Sequence, residues 1–593
     1  MSINRRDEQR AQAEEILGDR LDQASFAKGL FGGRYLSEQL AGYPLIVEES
    51  VRCLTRELRA FCVGEIDPAA IDRQGEIPPK IVRGLGRLGV LGACLPKSAG
   101  GMELGQADYC RLLEVLGGHC GGTALFVNAH HSIGPRALVL FGTAELQQRY
   151  LPKLVSGQWI SAFALTEPEA GSDAANVQST ATPTDDGSGF LINGEKRWIT
   201  NGGIAQVLTV MARTPDVSKP QDGAPQASRI TAFIVTPDMP GFEVVETRMS
   251  KVGVRGTATS RLAFHDMFVP RDHVLGQLGG GLKVALTVLD FGRTTFGASC
   301  TGAAKFCVDH AARHAQMRIQ FDQPLSEFEL VQQKLAYMQA GAFAIESCTY
   351  QTAAQIDAGT SDFMLETAML KVFSTDVLWQ IINDTIQIYG GKAYFTDEPF
   401  ERMMRDARIN MIGEGANDVL CVFSALMGMR DIGLELEAIL HAIELPLGNL
   451  RRLGRFAGHK LGSLLVPPQI DVRNALLEPQ AAGLSRLVAK FGANVEWLLR
   501  TYREEIVDRQ HQLARVAHAV MEIYVSACVL NRLDTTLLHA DADDAGVQFE
   551  LETGRYYLQT AQRRIHGNLQ ALRNNDDDAT TRFVNALLAQ RRT

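Results

Sequence analysis

The sequence predicts a mostly helical chain with a β domain set in its middle, and three observations carry that prediction. Apolar residues recur three and four apart from Pro44 to about residue 160. Between about residues 160 and 275 they give way to short alternating or β-branched runs split by Asn-Gly, Gly and Pro. The helical period then returns and stays to the C-terminus. At 593 residues the chain is far longer than one core serves, so several domains are expected.

Residues 1–42 read as an extension. A charged start, MSINRRDEQRAQAEE, leads into ASFAKGLFGGRYLSEQL, whose glycines and aromatics suggest an arm laid on a surface. Residues 43–160 form an N-terminal helical domain, with helical spacing in PLIVEESVRCLTRELRAFCVGEI and QADYCRLLEVLGG. GTAELQQRYLPKL reads as a further helix, with Pro152 ending it or beginning a turn. Residues 161–275 form an antiparallel, barrel-like β domain built from ISAFALTEP, GFLINGEKRWITNGG, QVLTVMART, RITAFIVTP, GFEVVETRM and SRLAFHDMFVP. Within it PDVSKPQDGAPQAS is a polar Pro/Gly loop. Residues 276–430 supply the long helices of a four-helix bundle, and 431–593 an additional C-terminal helical domain.

Composition excludes several classes. The mix is 46% hydrophobic and 21% charged, ordinary for a globular chain, and the net charge of −9 offers no dominant basic surface for nucleic acid. Ten cysteines occur without a CxxC pair or a Cys/His cluster at zinc spacing, which favours buried free thiols over disulfides and predicts no metal. No signal-peptide core opens the chain, and no run approaches the roughly 18–20 apolar residues of a membrane span. A cytoplasmic protein is expected, with peripheral contact to the inner membrane surface left open.

Three stretches carry chemistry. Glu414 stands among Met411, Ile412, Gly413, Gly415 and Ala416, where a carboxylate finds few hydration partners. Such a setting disfavours the charged form and raises the pKa towards that of a base working near neutral pH. FALTEPEAGSD, residues 163–173, ends a strand in a turn whose backbone groups, Thr166 and Ser172 can meet a flat polar ring. KRWITNGG, residues 196–203, sets Trp198 and Thr200 two apart on one strand face. The charged residues Glu401, Arg402, Arg405, Asp406 and Arg408 read as an ion-pair network supporting the Glu414 segment.

These stretches, with RIQFDQPLSEFELVQQKLA, QIYGGKAYF, ERMMRDARI and GEGANDVL in that order, resemble the acyl-CoA dehydrogenase family over roughly residues 44–430. The extra helical region and ASFAKGLFGG are similar to its very-long-chain branch, which is dimeric and peripherally membrane-associated. The resemblance implies an FAD enzyme that dehydrogenates a medium- to very-long-chain acyl-CoA to the trans-2-enoyl-CoA and passes electrons to an electron-transfer flavoprotein. Two other readings stay open: an acyl-CoA oxidase using O₂, and a scaffold that keeps the fold with little turnover.

By the same match Glu414 is the base for the α proton. Phe163, Leu165, Thr166, Ser172, Trp198, Ile199 and Thr200 belong to the FAD site. Arg318 and Phe321 reach the FAD of a neighbouring subunit, and Gln387, Gly390 and Gly391 complete that site, so a homo-oligomer is implied. Ala416 and Asp418 lie by the diphosphate or ribityl region. Ser172, Asp290, Arg293 and Gly415 fall on the substrate side. Two departures bear on FAD: Ala416 replaces a Thr usual in the family, and Asp322-Gln323 follows Phe321 where Gly-Lys is usual. A side chain as large as Asn128 is expected to shorten the acyl tunnel. In residues 447–465, LGNLRRLGRFAGHKLGSLL, leucines at helical spacing oppose Arg451, Arg452, Arg455 and Lys460. That pattern suits either a membrane-surface helix or one packed on the bundle.

Overall fold

The computed structural model describes residues 23–215, 228–444 and 467–591. The polar loop within 216–227 and the basic stretch 447–465 lie outside the described residues. The chain divides into two compact units.

The first unit holds residues 46–362 and 374–416. It opens with helices α2 (Glu49–Glu65), α3 (Pro68–Gln74), α4 (Pro79–Arg87), α5 (Gln106–His119), α6 (Gly121–Asn128), α7 (Gly134–Phe141) and α8 (Ala144–Val155); α1 belongs to the other unit. Asp67 caps α3 by accepting from the amides of Ala69 and Ala70, and Pro68 at its first turn gives up a donor that has no helical partner there. Pro152 does not end α8: the helix runs to Val155, because a proline in the last turn removes only one bond near a fraying end. Between α6 and α7 the chain makes a π-helical turn over Ala129–Ile133. Two buried histidines pin it. His130 Nδ1 accepts from the Ser161 amide at 3.1 Å, and His131 Nε2 accepts from the Cys94 amide at 3.0 Å. Burial pushes the His130 imidazole down to about 4 and that of His131 down as well, so both are neutral acceptors at pH 7.

The middle of the unit is one eight-stranded sheet. Its strands are β1 (Ser161–Ala164), β2 (Thr180–Pro183), β3 (Gly189–Ile199), β4 (Val207–Pro215), β5 (Ser228–Val235), β6 (Phe242–Glu246), β7 (Ser260–Pro270) and β8 (Val274–Leu275). The order β6-β7-β3-β2-β4-β5-β8 does not close among the described residues, and β1 lies beside β4. It departs from a purely antiparallel layout, since β1–β4 and β2–β4 pair in parallel. Asn193-Gly194 is not a hairpin turn. It sits inside β3 as an irregularity in the register against β7, with Asn193 Nδ2 donating to Asp266 at 2.8 Å.

Long helices follow: α9 (Gly281–Met317), α10 (Glu329–Asp357), α11 (Met364–Tyr389) and α12 (Phe400–Arg408). Between α9 and α10 a short hairpin pairs β9 (Ile319–Gln320) with β10 (Gln323–Pro324). α9 and α5 cross backbone to backbone. A Cβ on Gly302 would come within 1.9 Å of the Glu114 carbonyl, so only glycine permits the approach.

The second unit holds residues 24–45, 363–373 and 417–591. Its helices are α1 (Phe26–Phe31), α13 (Asn417–Glu444), α14 (Glu478–Tyr502), α15 (Gln510–His539), α16 (Ala545–Ala571) and α17 (Asp577–Gln590). The stretch FAKGLF is not a surface arm. All six residues are buried, Phe31 meets Phe491 edge-on at 5.4 Å, and the Ala27 amide donates to Glu366 at 2.9 Å. α15 is long and apolar enough by composition to cross a membrane, which the reading of apolar runs did not anticipate. Its most apolar window is 78% buried within the protein, as befits a core helix. The ten cysteines are all free, and only Cys53 and Cys94 are not buried.

Candidate active site

Glu414 follows the one-turn helix Ile409–Met411 and takes φ +55, a left-handed conformation that costs a residue with a Cβ about 1–2 kcal/mol. Gly415 beside it has φ +99, a region that favours glycine. Two elements hold this reversed segment. From α9, Arg293 Nε donates to the Glu414 carbonyl at 3.2 Å, while its Nη1 is 3.1 Å from Asp290 Oδ1. Asp290 and Arg293 are both buried inside α9. From α6, Asn128 Nδ2 donates to Glu414 Oε1 at 3.2 Å. A Cβ on Gly292 would lie 2.4 Å from Glu414 Oε2, so the carboxylate rests against bare α9 backbone.

Thr295 and Gly292 were not among the residues drawn from the sequence, and Asn128 was drawn only as a tunnel wall, not as a partner of Glu414. Asn128 is separated from Glu414 by 286 residues and is joined to it only by the packing of α6 against α9. A small cavity opens beside Asn128. It is lined by Ala124 and Leu125 of α6, Phe296 and Ser299 of α9, Leu378 and Ile382 of α11, and Met403 and Asp406 of α12.

Of the charged residues read as one network, Glu401 and Arg405 form an ion pair. Arg405 bridges Glu401 and Asp72 at 2.8 Å each. Asp406 is different. It accepts from the Val254 amide at 2.5 Å, and burial pushes its carboxyl up to about 6.

The β-domain candidates meet through main-chain bonds. Phe163 is buried in β1; Leu165 and Thr166 are half-buried in the turn after it, and Ser172 is exposed further on. The Arg197 amide donates to the Thr166 carbonyl at 3.0 Å, and Lys196 Nζ to the Leu165 carbonyl at 3.0 Å. Lys196 is fully buried and also pairs with Glu167 at 2.7 Å, while Glu167 accepts from the amide and hydroxyl of Ser179. Burial pushes the Lys196 ammonium down to about 8; burial opposes Glu167 ionising, but Lys196 and these donors hold it below the usual range. The pair therefore stays ionised at neutral pH and fixes the turn against β3.

Trp198 and Thr200 do not alternate along a flat strand. β3 bulges between Arg197 and Ile199, Trp198 takes φ +60, and Thr200 lies in the turn beyond. The bulge leaves the indole 51% exposed above a buried Ile199. An exposed indole beside half-buried Leu165 and Thr166 fits one face and edge of a flat aromatic cofactor.

Arg318 and Phe321 are exposed at the β9–β10 hairpin, where Phe321 and Asp322 form the turn with φ +53 and +64. Phe321 is 90% exposed at its tip. Gln387 is exposed near the end of α11, and Gly390 and Gly391 follow in open space. Ala416 is half-buried after Gly415, and Asp418 is exposed in the first turn of α13. No cluster of three metal-ligating side chains occurs among the described residues.

The family models named acyl-CoA dehydrogenase N-terminal, middle and C-terminal domain match residues 48–158, 162–267 and 279–425. A fourth, ACAD9/ACADV C-terminal domain, matches 475–589. The mitochondrial very long-chain specific acyl-CoA dehydrogenase of Homo sapiens is 35% identical over 532 residues, 87% of this chain and 80% of that one. Among solved structures, an acyl-CoA dehydrogenase complexed with FAD from Bacillus anthracis superposes with a TM-score of 0.75 at 26% identity, covering 94% of this chain and 91% of that one. Butyryl-CoA dehydrogenase from Megasphaera elsdenii gives 0.60 at 32% identity, covering 64% of this chain and 98% of that one.

Proposed function

The chain belongs to the acyl-CoA dehydrogenase family, and from that premise we propose that it is an FAD-dependent oxidoreductase that removes hydrogen from the α and β carbons of a medium- to very-long-chain acyl-CoA. The observation that carries this reading is the seat of Glu414: a carboxylate presented on a left-handed residue, braced through its carbonyl by Arg293 and through its side chain by Asn128.

In this reading Glu414 takes the α proton. A C–H next to a thioester is only weakly acidic, so the base must be held at contact distance and kept from bulk water. Bracing at both ends meets the first need, and the half-buried position meets the second. FAD, when bound, accepts the β hydrogen as hydride. Leu165, Thr166 and Trp198 would hold its ring, with Phe163 and Ile199 as the buried floor and Thr200 and Ser172 at the rim. Arg318, Phe321, Gln387, Gly390 and Gly391 would serve FAD across a homodimer. Their exposure supports that role, since a site shared between subunits requires contact residues that a single chain leaves open. Asp290 and Arg293 serve the substrate side by fixing the Glu414–Gly415 backbone. The acyl chain would enter the cavity beyond Asn128, and an electron-transfer flavoprotein would take the electrons.

Anaerobic titration of the purified yellow protein with acyl-CoAs of rising length tests this. Bleaching of the flavin is expected, with an optimum set by the cavity, and Glu414→Gln should retain FAD and lose the bleaching. Undiminished bleaching in Glu414→Gln removes the role given to this residue.

A further inference from the structure

The side chain that touches the candidate base from the cavity side is Asn128, 3% exposed at the end of α6. Its orientation follows from its partners. An ionised carboxylate only accepts, so the amide must turn Nδ2 towards Glu414 Oε1, 3.2 Å away. That places Asn128 Oδ1 against Thr295, whose hydroxyl donates to it. Thr295 is in turn fixed on α9, with Oγ1 2.8 Å from the Gly292 carbonyl and 3.2 Å from Ser132 Oγ of the π turn. The turn is itself pinned by His130 and His131. The π turn begins directly after Asn128, the last residue of α6.

α9 contributes Arg293, on the Glu414 carbonyl, and its partner Asp290. α6, GGTALFVN, carries no ionisable side chain. The Asn128 amide donates to the carboxylate oxygen from the cavity side.

We propose that Asn128 is a positioning residue for the reaction: its amide, oriented by Thr295, holds the Glu414 carboxylate in its charged, proton-accepting form and in one rotamer. This rests on Glu414 being the base. A hydrogen bond to the charged form favours that form, and it is worth more when the acceptor is ionised.

The test is the pH dependence of flavin reduction by a saturating acyl-CoA, followed by rapid mixing without oxygen on FAD-loaded enzyme. Reduction needs the ionised base, so its rate rises with pH through an inflection. In Asn128→Leu, close in volume but without donors, that inflection should move up by about one pH unit, with an approximately tenfold lower rate on the acid side. Asn128→Gln, which restores an amide donor, should move it back towards the wild-type value. Thr295→Val takes no atom from the carboxylate's own contacts and should shift the inflection in the same direction by less, which carries the test if Asn128→Leu fails to hold FAD. An unmoved inflection in Asn128→Leu, with only the KM or preferred chain length changed, would show that Asn128 is cavity wall and overturn the proposal. Failure of the underlying reading looks different: Glu414→Gln would then still reduce the flavin at the wild-type rate.

Discussion

Glu414 is a carboxylate assembled by backbone geometry more than by its neighbours in sequence. Its φ of +55 turns the side chain against α9, where the absent Cβ of Gly292 leaves room. Asp406, eight residues earlier, shows the opposite use of an acid. It lines the cavity, accepts from a main-chain amide, and has its carboxyl pushed up to about 6 by burial. A folded-state value above that of the unfolded chain means that the native state binds this proton more tightly. Stability from Asp406 is therefore fullest below about pH 4 and is lost as pH rises to about 6, by up to about 3 kcal/mol. Asp406→Asn keeps an acceptor for the Val254 amide and removes that slope. The stability of the variant relative to wild type, from urea unfolding across pH 4 to 7, should rise between about pH 4 and 6 and then level off. Parallel curves would mean that Asp406 does not titrate there.

At the scale of elements, the β9–β10 hairpin explains a departure from the family's usual residues. A two-residue turn with φ +53 and +64 asks for residues that tolerate the left-handed region, and aspartate does so better than most. Asp322 thus holds the turn at a cost in strain. Asp322→Gly should raise the melting temperature slightly, by about 0.5–1 kcal/mol of relieved strain. If the tip serves FAD, as proposed, the same change should tighten FAD several-fold, read from flavin retained on dilution. A variant that melts higher but releases FAD as fast as wild type would place the tip away from the cofactor. The bulge at Trp198 is a related device: it breaks a regular ladder to present one side chain.

At the scale of the whole molecule, apolar length proves a poor guide to membrane contact. α15 is apolar enough to span a bilayer, yet it is the packed centre of its unit: Tyr524 is fully buried, and Phe26 lies 6.1 Å from its ring. The surface proposed for docking on lipid is the basic stretch 447–465. Co-sedimentation of the full chain with anionic vesicles should drop several-fold in Arg451→Glu/Arg455→Glu and with added salt, as an electrostatic contact requires. Binding that ignores both would assign it to another surface.

Periodicity alone located the helical and β regions, because which face of a helix or strand is buried is written in spacings of a few residues. The long helices α9, α10 and α11 were legible for that reason, as was Glu414, which stands out as an acid among glycines and aliphatics. The buried pair of Lys196 and Glu167, the bulge that exposes Trp198, the interior place of Phe26–Phe31, and the contact of Asn128 with Glu414 were not. Each joins segments 29 to several hundred residues apart or depends on a break in regular structure. Local spacing records how a segment meets a core, but it holds no information on which distant segment supplies the other half of a hydrogen bond. That choice belongs to packing.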